Sequence, residues 1–131
     1  MNSDNNKGVS EKALQSYLKK IEQYSNLRLT PEKEKELFKK IEEKDVEKKK
    51  WDSSKAKKKL AKANLRLVIN IIMYYKPKTK KLTLLDLIHE GNLGLFWAVE
   101  KYDRRSNYRF STFATLVIRD TIFRVLEDEK R

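Results

Sequence analysis

A chain of 131 residues with only three glycines and two prolines has few places where its backbone is made to break. Glycine and proline are the strongest local punctuators, and strands draw on β-branched runs, which here are few except near Val68 to Ile72. The stretches from Gly8 to Pro31, from Pro31 to Pro77 and from Pro77 to Gly91, and the one after Gly94, are each long enough for several helical turns. The pattern therefore predicts an all-α fold, a compact multi-helix bundle, and the length allows one domain. Apolar residues make up 39% and charged residues 38%, against about 45–50% and about 25% in ordinary globular chains. The core is expected to be small and the surface heavily solvated.

Residues 1–10 lack periodicity and are expected to form a disordered tail, with a single helical domain over 11–131. Within it, 11–47 forms an N-terminal helical region, 48–59 a lysine-rich connector and 60–131 the remaining helices. Leu14, Tyr17, Leu18, Ile21 and Tyr24 follow i, i+3, i+4, i+7 spacing, which marks an amphipathic helix ending near Ser25. Thr30-Pro31-Glu32 then sets a cap, a first-turn proline and an acid ahead of Leu37, Phe38 and Ile41. In the connector, Asp52-Ser53-Ser54 is expected to interrupt a helix and Trp51 to pack locally. A core helix is predicted from about Lys59 to Lys76, stopped by Pro77, with KPKTKK as a basic loop. Thr83 to Asp86 has capping-box spacing for a helix running to about Tyr102, and Ser111 is expected to cap the last one. Gly91 and Gly94 each cost about 1 kcal/mol relative to alanine in a helix, so close packing must use them.

Composition removes several classes of chemistry. Zero cysteines exclude disulfides and thiolate metal sites, and His89 alone gives no histidine cluster, so no metal is expected. No nucleophile with its base, no paired carboxylates in a cleft and no glycine-rich phosphate loop is found, so neither an enzyme nor a cofactor site is expected. The longest nearly apolar run, Leu67 to Tyr75, falls far short of the ~20 residues that span a bilayer. The polar start is no signal peptide, and the reading is a soluble, cytoplasmic chain without membrane contact.

The net charge of +12 is unevenly placed. Residues 1–47 hold ten basic and ten acidic groups, 48–81 hold thirteen basic and one acidic, and 82–131 hold eight of each. The whole excess lies in one 34-residue stretch, which reads as a polyanion-attracting patch or as a solvated lysine-rich linker. Further along, Tyr102 to Phe113 interleaves four aromatics with Arg104, Arg105 and Arg109. Arginines hold phosphates and aromatic faces stack on unpaired bases, whereas the blander alternative is four core aromatics beside a solvated turn. In the last helix, Ala114, Ile118, Thr121, Ile122 and Val125 share one face, and Phe113, Leu116, Asp120, Phe123, Arg124 and Glu127 the opposite one. The second apolar stripe implies a partner surface or a groove.

Ala63-Asn64-Leu65-Arg66-Leu67-Val68, then LLDLIHEGNLGLFWAVEKYD and NYRFSTFAT, resemble the second conserved region of bacterial sigma factors of the housekeeping type. The likeness covers about residues 58–126, and Leu14 to Asp45 resembles the helical region that precedes it in that family. The resemblance implies an all-α bundle that binds core RNA polymerase, recognises the promoter minus-ten element and helps to melt it. It assigns Asp86, Glu90 and Asn92, with Leu85, His89 and Phe96, to docking on the clamp coiled coil of the largest polymerase subunit. A helix face thinned at Gly91 and Gly94 would admit that partner. Tyr108, Phe110, Thr112 and Phe113 match positions for the unpaired non-template strand, where an adenine is flipped and stacked. Asn64 and Leu67 match the pocket for a second flipped base, with Arg66, Arg104, Arg105 and Arg109 near the backbone.

Departures from the family pattern are equally specific. Leu116 and Val117 stand where adjacent tryptophans wedge the duplex open, and smaller groups stack less well. Asp120 and Phe123 replace the glutamine and threonine that face the upstream base pair, with Arg124 beside them. His89 replaces a glutamine, Phe113 a tyrosine and Asn107 a glycine. The resemblance leaves room for an anti-sigma factor as a further partner. Two other readings stand beside it: a sigma-like module that holds the polymerase clamp but no longer reads DNA, and a generic basic nucleic-acid binder driven by residues 48–81.

Overall fold

The computed structural model describes the backbone of residues 2–24, 28–43 and 47–130 and the side chains of 11–24, 28–43 and 53–130. The described residues form six α-helices and no strand: α1 (Asn2–Gln23), α2 (Pro31–Glu42), α3 (Glu47–Ala63), α4 (Leu65–Tyr75), α5 (Leu84–Lys101) and α6 (Phe110–Glu129). A 3₁₀ turn, Lys76–Lys78, follows α4. Two starts are written locally in the sequence. Thr30 Oγ1 accepts from the Lys33 backbone N–H at 3.2 Å with Pro31 in the first turn of α2. At α5, Thr83 Oγ1 accepts from Asp86 N (3.1 Å) while Asp86 Oδ2 accepts from Thr83 N (3.0 Å), a complete capping box.

Four boundaries differ from the sequence reading. Helix α1 runs from Asn2, so residues 2–10 are helical where a disordered tail is expected. The connector is helical throughout, with no interruption at Asp52-Ser53-Ser54. Ser53 is buried, its hydroxyl donates to the Ile41 carbonyl of α2 at 3.1 Å, and it shares a buried face with Ala56 and Leu60. The expected continuous helix from Lys59 to Lys76 is instead broken at Asn64, whose Nδ2 donates to the Leu60 carbonyl at 2.8 Å while its backbone N–H turns to Ala61 O at 3.0 Å. An asparagine side chain competing for a helical carbonyl is the physical cause. The fourth difference is that Ser111 lies inside α6, which begins at Phe110 without a side-chain cap from its own strand of sequence. The expected end near Ser25 and the local packing of Trp51 lie outside the described residues.

The core joins α2 to α6. Leu60, Val68, Ile72, Leu87, Leu95, Phe110, Ile118 and Ile122 are fully enclosed. Both glycines of α5 are buried and face helices of this same chain. A Cβ on Gly91 would stand 2.7 Å from Val68 Cγ1 and 2.9 Å from Ile72 Cδ1 of α4. On Gly94 it would stand 3.0 Å from Thr121 Oγ1 and 3.1 Å from Ile118 Cα of α6. The close approach expected of these glycines is therefore internal, and the notion that they thin a face for an outside partner is corrected.

Candidate nucleic-acid interface

The turn between α5 and α6 is fastened from three sides. The Tyr102 hydroxyl donates to the carbonyl of Tyr108. Arg109 Nε donates to Glu34 Oε2 at 3.3 Å and Arg109 Nη2 to the Leu29 carbonyl at 3.1 Å, both on the α2 side of the molecule. Glu34 Oε2 also accepts from Phe110 N at 3.1 Å, so a buried carboxylate of α2 supplies the cap that α6 lacks. Within the turn, Arg105 N donates to Asp103 Oδ1 at 2.9 Å. That backbone bond, assisted by the charges of Arg105 and Arg104, holds the Asp103 carboxyl below its ordinary value.

The four aromatics divide. Phe110 is wholly in the core, its ring 5.2 Å from Phe38 and 5.5 Å from Tyr102, rather than at the surface where strand contact would require it. Phe113 is half-buried with its ring 5.8 Å from that of Tyr102. Tyr108 is 67% exposed, and Thr112 is exposed in the first turn of α6. Arg104 pairs with Glu42 at 2.8 Å, and Arg105 with Asp103 at 3.4 Å.

On the solvent side of α6, Leu116 is 64% and Phe123 56% exposed, while Val117 is half-buried. The second stripe foreseen in the sequence is thus open at Leu116 and Phe123 and partly covered at Phe113. Asp120 is not a bare carboxylate, because Arg124 Nη2 stands 3.1 Å from its Oδ2. Asn64 and Leu67 are half-buried and Arg66 is exposed. Arg66 joins Tyr24, Arg28 and Lys62 in lining a cleft of about 410 Å3, which neither Asn64 nor Leu67 lines, with the Lys62 ammonium 5.3 Å from the Tyr24 ring centre.

The α5 residues are spread over different environments. His89 and Phe96 are exposed, and Leu85 and Glu90 are half-buried. Asp86 is exposed but committed to the capping box. Asn92 Nδ2 donates to the Tyr17 hydroxyl of α1 at 3.1 Å, and its Oδ1 is buried without a partner among the described residues. Leu93 and Trp97 are exposed on the same helix, with Trp97 against Phe96 at 6.1 Å between ring centres.

Sequence reasoning missed Glu34, Glu42 and Tyr17, which hold candidate site residues in place. Glu34 left a signal: it sits three and four positions before Leu37 and Phe38, on the face that has to be buried.

Fold and site together define a class: a small all-α domain with a basic tract and a firmly held turn that offers an aromatic and arginines to solvent. Residues 60–131, more than half of the chain, match the family model described as Sigma-70 region 2. The chain belongs to the sigma-70 region 2 family. It is 45% identical over 103 residues to the RNA polymerase sigma factor SigA of Clostridium acetobutylicum, covering 79% of this chain and 25% of that protein. Over 115 residues it is 44% identical to SigA of Listeria monocytogenes, covering 88% of this chain and 28% of the relative. Over 77 residues it is 51% identical to the sigma factor RpoS of Coxiella burnetii, covering 59% and 21%. The chain spans about a quarter of the length of these relatives. Among the described residues no helix is long and apolar enough to cross a membrane.

Proposed function

We propose that this chain is the promoter-recognition domain of a sigma factor, which binds core RNA polymerase and captures unpaired non-template bases of the minus-ten element. The observation that carries the reading is the turn before α6. Tyr108 is exposed on a backbone held by Tyr102, Arg109 and Glu34, so the turn that presents its ring need not be ordered on binding. Stacking on an aromatic contributes about 1–3 kcal/mol per base, enough to offset the few kcal/mol of unstacking that flipping requires. Tyr108, Phe113 and Thr112 are the contacting side chains, and Phe110 supports them from the core. Half-buried Asn64 and Leu67, with Arg66 exposed between them in sequence, are the place for a second base, and Arg105 has most of its surface free for phosphate. At Leu116 and Val117 a small apolar wedge stands in for a larger one, and the Asp120–Arg124 pair gives the upstream duplex little to read.

Polymerase docking falls to the exposed and half-buried side chains of α5, Leu85, His89, Glu90 and Phe96, with Asp86 and Asn92 serving first to cap α5 and to hold α1. The clamp coiled coil of the largest subunit is the partner, and an anti-sigma factor would compete for the same face. The chain acts in the cytoplasm, on the nucleoid, with no cofactor and no chemistry of its own.

Tyr108→Ala tests base capture, because an exposed ring can be removed without disturbing the core. Binding of a single-stranded oligonucleotide carrying TATAAT, followed by fluorescence anisotropy, should weaken by about 1–3 kcal/mol with helix content unchanged. Unaltered affinity in a folded variant would instead favour a domain that holds the polymerase and no longer reads DNA.

A further inference from the structure

The far end of α6 and the segment after α4 enclose a surface that base capture leaves unused. An open cleft of about 430 Å3 lies between them. Its floor is apolar: Leu126 is buried, Tyr75 half-buried and Phe123 56% exposed. The segment after α4 contributes Lys78, Lys80 and Lys81, and the end of α6 contributes Glu127, Glu129 and Lys130. This lysine segment is tied down. Thr79 is buried, and its hydroxyl lies 2.7 and 2.6 Å from the two oxygens of the Glu129 carboxylate, which also accepts from Lys81 N at 3.1 Å. Leu82 N donates back to Thr79 Oγ1 at 3.3 Å.

The acids of the cleft are occupied and two of its cations are not. Glu129 holds the segment, and Glu127 accepts from Lys130 Nζ at 3.3 Å. Lys80 and Lys81 are exposed and have no ion pair among the described residues, while the Lys78 ammonium lies 4.2 Å from the Tyr74 ring centre. Free ammonium groups beside a recessed apolar floor call for a ligand with two properties, carboxylates at its margin and apolar side chains at its centre. A nucleic-acid backbone would use the cations, leave the floor empty and meet the carboxylate of Glu127. A membrane surface takes apolar groups that reach outward, whereas Leu126 is buried at the bottom of the cleft. An acidic amphipathic helix meets both requirements, since side chains at i, i+3 and i+4 fill the floor while flanking carboxylates reach the lysines. Because Thr79 and Glu129 already hold the segment, binding need not order it.

We propose that this cleft docks an acidic amphipathic helix of a protein partner, with Tyr75 and Phe123 receiving its apolar face and Lys80 and Lys81 its carboxylates. The inference is independent of base capture. Tyr108 precedes the first turn of α6 and the cleft lies at its last turns, and the ends of this 20-residue helix are about 30 Å apart.

The test uses the 131-residue chain and a fluorescently labelled peptide, read by anisotropy. The peptide carries leucine or phenylalanine at i, i+3, i+4 and i+7 and glutamate at the flanking positions. It should bind, and counterparts with glutamine for glutamate, or with the same residues in scrambled order, should bind about tenfold more weakly. Phe123→Ala, which removes an exposed ring from the floor, should also cost about tenfold. The double variant Lys80→Glu, Lys81→Glu should lose the glutamate peptide by about tenfold or more and gain a lysine-bearing counterpart, with helix content by circular dichroism unchanged. No binding of the glutamate peptide, or binding that these variants leave unaltered, would overturn the proposal. So would displacement of the peptide by a TATAAT single strand, which would hand the cleft to nucleic acid. Tyr108→Ala should leave peptide binding as it is, so that base capture and peptide docking fail separately.

Discussion

Glu34 stands on the same face of α2 as Leu37 and Phe38, a position where a carboxylate is normally excluded unless it is fully bonded. Here it accepts from Arg109 and from the first N–H of α6, so one residue of the N-terminal region fixes both the turn and the helix that follow it. Removing it strands a buried backbone donor. Glu34→Ala should therefore cost about 1–3 kcal/mol of stability, read as a fall in Tm of several degrees, whereas Glu34→Gln keeps an acceptor and should lose less. Equal, small losses in both would contradict the capping role. The arginine–aromatic mixture of residues 102–113 was legible as something unusual. Which ring entered the core was not, because Phe110 and Phe113 are distinguished only by what Phe38 and Tyr102 bring against them. Phe113→Ala removes packing against Tyr102, so Tyr108→Ala is the cleaner probe of binding.

At the scale of elements, what is encoded within four residues was readable. Thr30-Pro31 and the Thr83–Asp86 box start their helices where expected, since cap and partner are neighbours in sequence. Features that depend on distant partners were not. The continuity of α3 depends on Ile41 accepting from Ser53, twelve residues away; the break at Asn64 is the exception among local features, since the Leu60 carbonyl its side chain takes lies only four residues back. The glycines of α5 show the same divide: their presence signals close packing, but only the fold shows that α4 and α6 are what they meet. Gly94→Ala sets a methyl 3.1 Å from Ile118 Cα, a backbone atom that moves only with its helix. The overpacking penalty of about 1–3 kcal/mol should exceed the gain of about 1 kcal/mol in helix propensity. Thermal unfolding should show a lowered Tm, and a variant more stable than the parent would contradict the close contact of α5 with α6.

Across the whole molecule, the charge excess of residues 48–81 falls on α3, α4 and the lysine segment, while the fixed turn before α6 belongs to a stretch of zero net charge. Two kinds of affinity follow. The basic tract supplies long-range attraction that salt screens and counterion release dominates. The turn supplies short-range stacking, which depends little on salt and accepts any base, so a preference for one sequence comes from the polar contacts around a captured base. The sequence located the first directly, as a count of charges, and the second only through resemblance, because preorganisation is a property of three tertiary anchors. The central claim is that this domain captures specific unpaired bases, and anisotropy of a TATAAT single strand against a shuffled one of equal composition tests it most directly. The measurement is made at two salt concentrations, with a polymerase clamp coiled-coil fragment present. The account predicts that total affinity falls as salt rises while the preference for the ordered sequence persists; equal binding of both strands, collapsing together with salt, would contradict it.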